Sequence, residues 1–282
     1  MRKILIPTDF SEIAMNAILY GVDLFKYDIA EFFILNSYQD KVYANEASLT
    51  RENLESVKTS AYKESIEQLQ RTKKEISEFS PNPRHSYYVI SSDNLLLDEI
   101  DKLVDQENID IVVMGTRGET NDKNITFGSH TLQVLKYVQC PVLVIPENYK
   151  YTKPKHILFP TDYMIPYKRR ELKLLCELAS PYRAKIDMLY VSKTEKLSMR
   201  QEDNRDFVKE TLCKNTIEFK VIKSKEIINT IYKYIKEHNI DMLVMVNTRH
   251  SFLENILFQS TIDEFTLNLN TPFLAMQNMR RE

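Results

Sequence analysis

Short apolar runs alternate with segments of helical periodicity along the first half of the chain. Runs of four to six apolar residues predict strands, and apolar positions that recur every three to four residues predict helices. Ser11 and Asp93 are candidate N-caps because their side chains can accept hydrogen bonds from the first helical turn. The predicted strands cover residues 3–6, 31–36, 86–90, 110–114 and 141–145, and the predicted helices cover 11–26, 50–79, 94–107 and 129–138. This alternation predicts crossover units and a parallel sheet, which is an α/β fold.

The second half of the chain repeats the first. RKILIPTDF at 2–10 returns as KHILFPTDY at 155–163, and NIDIVVMGTRG at 108–118 returns as NIDMLVMVNTRH at 239–250, while CPVLVIP at 140–146 has a weaker counterpart in TPFLAMQ at 271–277. Predicted strands of the second half cover 156–159, 185–191, 216–222, 240–246 and 272–276, and its second helix is shorter. The repeat predicts two homologous domains, residues 1–148 and 153–282, joined by a polar linker near Glu147–Pro154.

The composition of the chain argues against some classes of binding partner. Lysine and arginine number 38 against 40 acidic residues, so no overall positive field would attract nucleic acid or anionic lipid. No apolar run reaches the length of a membrane span and no signal-peptide pattern opens the sequence, so we expect a cytoplasmic protein. The odd number of cysteines and the lack of a C-x-x-C pair favour small buried apolar roles for Cys140, Cys176 and Cys213 over a disulfide or a zinc site.

Glycine is scarce in this chain and strongly clustered. Three of its four glycines, Gly115, Gly118 and Gly128, fall in the single stretch MGTRGETNDKNITFGSH at 114–130. The stretch leads from the end of the fourth predicted strand to the start of a helix, where backbone N–H groups are unpaired and the helix dipole favours an anion. Glycine allows close approach and the positive φ of a phosphate-binding nest. Ser129 could add a hydroxyl donor, and Arg117 or Lys123 a positive charge, which predicts a phosphate site.

These residues carry a family resemblance. Gly115-x-x-Gly118, nine residues, and then Gly128-Ser129 resembles the nucleotide-binding signature of the universal stress protein family, and ILIPTD and CPVLVIP resemble that family's first and last strands. The similarity covers nearly the whole chain as two tandem domains. It implies a five-stranded parallel sheet of order 3-2-1-4-5 in each domain, with helices on both faces. It also implies ATP as the ligand, with adenosine at the ends of the first and second strands and the phosphates in the glycine loop.

A general rule for α/β sheets, applied to this strand order, places the ligand at the same position. In the order 3-2-1-4-5, the crossovers of the first and fourth strands leave in opposite directions, and ligands bind in the crevice at the carboxyl ends of those strands. The expected binding residues are Pro7, Thr8, Asp9, Asn36, Ser37, Met114, Gly115, Arg117, Gly118, Gly128, Ser129 and His130.

Four of these positions leave alternatives open or depart from the family pattern. Asp9 can accept hydrogen bonds from ribose hydroxyls, as the resemblance implies, or can cap the following helix. Asn36 and Ser37 stand where many family members have His-Val, which is a departure at the adenine position. His130 stands where an aliphatic residue is usual, and it either reaches a phosphate or is simply tolerated at a helix start.

The second half has lost the glycine loop. Its corresponding stretch, VNTRHSFLENILFQST at 246–261, contains no glycine, although Asp162 is retained. His250 stands near the place of Gly118 and Gln259 near that of Gly128. We expect the C-terminal domain to keep the fold without binding ATP in the family's manner.

The sequence leaves three functions open. The chain has no catalytic motif, and its histidines are dispersed without metal-ligand spacing. The favoured hypothesis is a nucleotide-binding regulatory protein of the stress response that acts through conformation or association. The alternatives are a slow ATP hydrolase, since a bound triphosphate with Mg²⁺ and one positioned water would suffice, and a ligand-free interaction scaffold.

Assembly follows from the strand order. The last strand of each half lies at a sheet edge, and an exposed apolar edge strand favours pairing. Single-domain relatives commonly dimerise through this edge, so the resemblance implies that Val142–Ile145 pairs with Phe273–Met276 inside one chain. A further homodimer of the whole chain is compatible with this arrangement and is not required by it.

Overall fold

The protein folds into two compact units, Met1–Tyr151 and Thr152–Glu282. The computed structural model describes residues 1–43, 51–116, 127–147, 149–164, 167–194, 196–212, 215–247 and 270–277.

The first unit alternates strands and helices as the sequence pattern predicts. Its strands are β1 (Arg2–Pro7), β2 (Ala30–Ser37), β3 (His85–Ser92), β4 (Ile111–Gly115) and β5 (Val142–Ile145). Its helices are α1 (Glu12–Leu24), α2 (Gln39–Tyr43), α3 (Arg51–Phe79), α4 (Leu96–Gln106) and α5 (Ser129–Tyr137). The sequence predicts all of these except α2, which has only five residues.

The strands of the first unit form one parallel sheet. The pairs are β1 with β2, β1 with β4, β2 with β3, and β4 with β5, so the order is β3-β2-β1-β4-β5. This confirms the α/β fold class and the order 3-2-1-4-5. The chain leaves the neighbouring strands β1 and β4 toward opposite sides, and their carboxyl ends form the edge of a crevice.

Burial explains why the apolar runs form strands. Ile4, Leu5 and Ile6 of β1 have no exposed surface, and all four residues of β5 are likewise buried. Strands covered on both faces read as continuous apolar runs, and this makes β1, β4 and β5 recognisable in the sequence.

The two predicted N-caps have different outcomes. Ser11 caps α1, since its hydroxyl accepts a 3.2 Å hydrogen bond from the backbone N–H of Ala14. Asp93 does not cap α4, which begins at Leu96 with Leu95 as its N-cap. The prediction is wrong because a turn after β3, in which the N–H of Asn94 donates to the Ser92 hydroxyl at 3.1 Å, delays the helix.

The long helix α3 is buried along only part of its length. Leu69 and Ile76 have no exposed surface, but Phe79 at the last position is 50% exposed. The buried face also includes two polar residues, Ser65 and Thr72. Polar side chains on a buried helix face need partners, and the partner of Ser65 lies at the crevice.

The second unit repeats the architecture. Its strands are β6 (His156–Pro160), β7 (Lys185–Ser192), β8 (Thr216–Lys223), β9 (Met242–Asn247) and β10 (Phe273–Gln277). Its helices are α6 (Arg169–Ala179), α7 (Met199–Thr211) and α8 (Ile227–Glu237). The strands pair in parallel in the order β8-β7-β6-β9-β10. The second helix is shorter, as predicted, with 13 residues in α7 against 29 in α3.

The sequence also predicts that the cysteines are buried and that no segment spans a membrane. Cys140 is buried, and its thiol donates to the carbonyl oxygen of Ile109 at 3.4 Å, while Cys176 is half-buried. Cys213 lies outside the described residues. Within the ranges described above, no helix combines the length and the apolar character needed to cross a bilayer.

Candidate functional site

Three strand ends of the first unit meet at one edge of its sheet. Pro7 ends β1, Ser37 ends β2 and Gly115 ends β4. The N–H of Thr8 donates to the carbonyl oxygen of Leu35 at 2.8 Å, which holds the chain leaving β1 against β2. Parallel pairing therefore brings together residues that are far apart in the sequence.

A cavity of about 350 Å³ lies at this edge. All the expected binding residues that the structure describes line it, whereas Arg117 and Gly118 lie outside the described residues, as does Lys123. The predicted residues that line the cavity are Pro7, Thr8, Asp9, Asn36, Ser37, Met114, Gly115, Gly128, Ser129 and His130.

Five further residues line the cavity that sequence reasoning did not select: Ala14, Asp40, Lys41, Leu96 and Thr131. Asp40 and Lys41 belong to the short helix α2, which has too few residues to show a periodic pattern. Ala14, Leu96 and Thr131 lie in the first turns of α1, α4 and α5. Helices that follow strands in an α/β unit start at the carboxyl edge of the sheet, so their first turns were the available signal.

The amino end of α5 opens toward the cavity. Gly128 is its N-cap and supplies no side chain to satisfy the first-turn amides. The loop is anchored by two hydrogen bonds, from the N–H of Gly128 to the carbonyl oxygen of Thr116 at 2.8 Å and from the hydroxyl of Thr131 to the carbonyl oxygen of Gly115 at 3.0 Å. First-turn amides and the helix dipole make this end of α5 a favourable position for an anion.

The expected positive φ of the glycines is wrong where the structure describes them. Gly128 has φ −62° and ψ 161°, and none of the described glycines has a positive φ. An N-cap residue adopts extended backbone that any residue can take, so conformation does not require glycine at position 128. What glycine provides there is space, because Gly128 lines the cavity.

Asp9 is anchored to the turn that follows β1. Its Oδ1 accepts hydrogen bonds from the backbone N–H of Ser11 at 3.0 Å and from the Ser11 hydroxyl at 2.6 Å. Ser11 in turn caps α1. Asp9 thus supports the helix cap through Ser11 and lines the cavity at the same time, so the two alternatives for Asp9 do not exclude each other.

A chain of polar side chains supports the β2 side of the cavity. Asn36 is buried, and its amide nitrogen donates to the carbonyl oxygen of Thr8 at 2.7 Å. Its Oδ1 accepts from the Ser65 hydroxyl of α3 at 2.8 Å, and Ser65 accepts from the Ser91 hydroxyl of β3 at 2.7 Å. These bonds fix the orientation of the Asn36 amide, since donor and acceptor ends each have an assigned partner.

The loop between β3 and α4 is bonded to the end of β2 and leads into Leu96, which lines the cavity. The Ser37 hydroxyl donates to the carbonyl oxygen of Asn94 at 2.6 Å. Buried Glu99 accepts from the Asn94 amide at 2.6 Å and from the Ser92 hydroxyl at 3.0 Å. Burial acts to raise the pKa of Glu99, but hydrogen bonds from Asn94, Lys102 and Ser92 outweigh it and hold that pKa below its usual value.

Charged side chains stand at the mouth of the cavity. Nε2 of His130 lies 3.3 Å from Oδ2 of Asp40, which links α5 to α2. The two side chains are 52% and 64% exposed. Lys41, also on α2, lies 3.6 Å from Glu64 of α3. The mouth therefore carries both signs of charge on side chains that are free to rearrange in solvent.

In the second unit, all but the first two residues of the stretch that corresponds to the glycine loop, 246–261, lie outside the described residues. The retained Asp162 follows β6, and its Oδ1 accepts a 2.8 Å hydrogen bond from the N–H of Met164. The expectation that this unit does not bind ATP therefore stays a prediction.

Comparisons with known proteins agree with the fold. A family model described as the universal stress protein family matches residues 1–146. Universal stress protein MJ0577 of Methanocaldococcus jannaschii is 32% identical over 157 residues, covering 51% of this chain and 94% of that protein. Universal stress protein MJ0531 of the same organism is 27% identical over 149 residues, covering 53% of this chain and 84% of that protein.

Similarity to a solved structure extends over both units. The crystal structure of a universal stress protein from Archaeoglobus fulgidus covers 98% of this chain and 96% of its own, with a TM-score of 0.67. Its sequence identity is 16%, so this similarity concerns the fold alone.

Proposed function

Because the chain belongs to the universal stress protein family, we propose that its first unit binds an adenine nucleotide, ATP by the family resemblance, and that the protein regulates a stress response through nucleotide-dependent conformation or association. The observation that carries this proposal is the cavity at the carboxyl ends of β1, β2 and β4, onto which the uncapped amino end of α5 opens. A crevice between β1 and β4 is where the fold binds ligands.

The residues present fit such a ligand. Small-molecule sites typically measure about 300 to 1,000 Å³, and this cavity of about 350 Å³ lies within that range. The amides of Ser129 and His130 and the Ser129 hydroxyl are suited to phosphate oxygens. Asp9 is suited to ribose hydroxyls, which are hydrogen-bond donors that a carboxylate accepts. A bound triphosphate would also bring Mg²⁺ as its counter-ion.

The chain's own groups have distinct tasks in this proposal. Asn36, fixed by Thr8 and Ser65, holds the ends of β1 and β2 together. Gly128 leaves room for the ligand beside the first turn of α5. His130 and Asp40 face each other at the mouth of the cavity. When an anionic ligand enters, its phosphate would take the place of the Asp40 carboxylate next to the His130 ring.

The proposal is tested by identifying what the purified full-length protein carries and what it binds. We expect mass analysis of small molecules released on denaturation to find an adenine nucleotide, and calorimetry on the emptied protein to show ATP binding at one site per chain. A protein that releases no nucleotide and gives no binding heat with ATP, ADP or adenosine would favour a ligand-free scaffold. Steady phosphate release that is lost in a Ser129→Ala variant would favour the slow hydrolase.

Three further expectations from the sequence stay predictions. They are the cytoplasmic location, the pairing of Val142–Ile145 with Phe273–Met276, and a homodimer of the full chain. Sedimentation of the purified protein over a range of concentrations would test the homodimer.

A further inference from the structure

The chain leaving β6 in the second unit repeats the chain leaving β1. The N–H of Thr161 donates to the carbonyl oxygen of Leu189 at 2.9 Å, which repeats the 2.8 Å bond from Thr8 to Leu35. The residue two positions later also has a positive φ in both units, 66° in the first and 55° in the second. Thr161 therefore corresponds to Thr8, which lines the cavity of the first unit.

Two tyrosines lie near the crevice of the second unit. The turn after the first strand is longer there: Ser11, the N-cap of α1, follows Thr8 by three residues, whereas Lys168, the N-cap of α6, follows Thr161 by seven. Tyr167 is the residue just before Lys168 in this longer turn. Asn36 follows the leucine that accepts from Thr8, and Tyr190 follows the leucine that accepts from Thr161, so an aromatic ring stands where the first unit has a small amide.

The ring of Tyr167 lies over the carboxyl end of β6. Its hydroxyl hydrogen-bonds the hydroxyl of Thr161. Its ring meets that of Phe159 edge-on, with centroids 5.7 Å apart and planes at 83°. Only 7% of Tyr167 is exposed. A hydroxyl contact to Thr161 requires the ring to point back toward the strand end, where the first unit has its cavity.

Tyr190 and α7 close the same region from the β7 side. Tyr190 is 6% exposed, and its ring lies 5.9 Å from that of buried Tyr163. Gln201 of α7 donates to the carbonyl oxygen of Asp162 at 2.7 Å, and Asn204 donates to that of Tyr163 at 2.7 Å. Side chains of α7 are therefore bonded directly to the backbone after β6.

We propose that Tyr167 and Tyr190 fill, in the second unit, the space that forms the ligand cavity in the first, so that the second crevice is closed by its own side chains and admits no nucleoside. This inference goes beyond the proposed function, since it concerns only the second unit. The second unit is then not a second ligand site.

The first test removes the ring of Tyr167 by substitution and supplies a small aromatic molecule from solution in its place. Tyr167→Ala in the full chain should leave a space that p-cresol, the side chain of tyrosine as a free molecule, can occupy, as engineered apolar cavities bind small aromatic molecules. We expect p-cresol to raise the unfolding midpoint of Tyr167→Ala in a saturable way and to leave the parent unchanged. Tyr137→Ala, which truncates a 53% exposed tyrosine of α5, is the matched control and should not respond. Equal responses in all three proteins would overturn the proposal.

The second test uses the parent and does not depend on how the variant folds. The folded parent is nitrated with tetranitromethane, with and without excess adenosine, and the tyrosines are mapped by peptide mass. Tyr137 should react and Tyr167 should stay protected in both conditions. If adenosine makes Tyr167 reactive, a ligand displaces the ring, and the second crevice is a site after all. Neither readout depends on nucleotide binding by the first unit, so failure of the proposed function would leave both results interpretable.

Discussion

The side-chain amide of Asn36 donates a 2.7 Å hydrogen bond to the carbonyl oxygen of Thr8 and so joins the carboxyl ends of β2 and β1 at the cavity wall. The bond is buried, and Ser65 of α3 completes it by donating to Asn36 Oδ1 at 2.8 Å. The long helix α3 is thereby connected to the floor of the candidate site. A polar residue on a buried helix face is costly without such a partner.

Removing the hydroxyl of Ser65 should destabilise the first unit. Ser65→Ala deletes the bond to Asn36 and leaves Ser91 without its acceptor, so we expect the free energy of unfolding to fall by about 1 to 3 kcal/mol. Ser77→Ala on the same helix removes an exposed hydroxyl that bonds only the carbonyl oxygen of Lys73 and should change it by less than about 0.5 kcal/mol. Denaturant unfolding measures both, and equal values for the two variants would contradict the role given to Ser65.

Much of the fold could be predicted because burial leaves a direct trace in the sequence. The apolar run Phe32–Leu35 underlies the predicted strand 31–36, which the structure extends by one residue on each side to Ala30–Ser37. The site residues at the ends of β1, β2 and β4 follow from parallel topology, which places all carboxyl strand ends on one edge.

Other features could not be predicted because they depend on tertiary contacts. Helix α2 has five residues and no periodicity, yet it brings Asp40 and Lys41 to the cavity. Tyr190 reads in the sequence as an ordinary strand residue of β7, and Tyr167 as an aromatic residue just before the basic stretch at 168–170. The place of Tyr167 at the second crevice depends on a loop conformation that no local pattern encodes.

Added volume at Gly128 should weaken nucleotide binding. Gly128 lines the cavity at the start of α5, and its backbone is extended, so Gly128→Val tolerates the φ but places a branched side chain beside the ligand. We expect affinity for ATP to fall by about tenfold or more, which corresponds to about 1.4 kcal/mol. Ser129→Ala should cost about 1 to 2 kcal/mol if its hydroxyl bonds a charged oxygen.

Calorimetry on the full chain measures both variants at the start of α5. Lys136→Ala, in the last turn of the same helix, serves as the control and should bind as the parent does. Unchanged affinity in both Gly128→Val and Ser129→Ala would remove the phosphate position from α5.

Neutralising Asp40 should strengthen the binding of an anionic ligand. Its carboxylate lies at the mouth of the cavity, 3.3 Å from Nε2 of His130. Two like charges about 4 Å apart in water repel by about 1 kcal/mol, so Asp40→Asn should tighten ATP binding by about fivefold. Salt screens such interactions, so the gain should shrink as ionic strength rises.

The matched control for Asp40 is another exposed aspartate of the first unit. Asp93 lies 3.8 Å from Lys58 and does not line the cavity. Asp93→Asn should therefore leave the affinity unchanged, although it removes the same charge. If the two variants bind ATP equally well, net charge and not the position of Asp40 governs the affinity.

His85 should make the stability of the first unit fall on mild acidification. Burial lowers the pKa of His85, opposed by its hydrogen bond to the Phe25 backbone carbonyl and by Asp28. The folded state thus binds a proton less readily than the unfolded state. The stabilisation is complete above the ordinary pKa of 6.5 and is lost as the pH falls from there through the folded pKa.

Unfolding measured at pH 7.5 and at pH 5.5 tests this sign. The parent should lose more stability between these two values than His85→Gln, which cannot titrate there. The remaining histidines are common to both proteins, so the difference reports His85. A larger loss in His85→Gln than in the parent would show that the sign is wrong.

Replacing Asp187 should strongly destabilise the second unit. It has no exposed surface, and its Oδ2 accepts from the Tyr234 hydroxyl and from Nε2 of His156, each at 2.7 Å. Oδ1 lies 3.4 Å from the ammonium of Lys185. Nδ1 of His156 faces the carbonyl oxygen of His238 at 3.0 Å, so both ring nitrogens of His156 face oxygen atoms.

Asp187→Asn should therefore lower the free energy of unfolding of the second unit by about 3 to 5 kcal/mol, because it leaves the ammonium of Lys185 without its buried carboxylate. Tyr234→Phe removes one bond to a charged acceptor and should cost about 1.5 to 3 kcal/mol. Asp206→Asn, at a 64% exposed position of α7, is the control and should stay within about 0.5 kcal/mol of the parent. We expect the loss in unfolding free energy to be largest for Asp187→Asn, intermediate for Tyr234→Phe and smallest for Asp206→Asn. A loss below about 1 kcal/mol for Asp187→Asn would contradict the role given to this carboxylate.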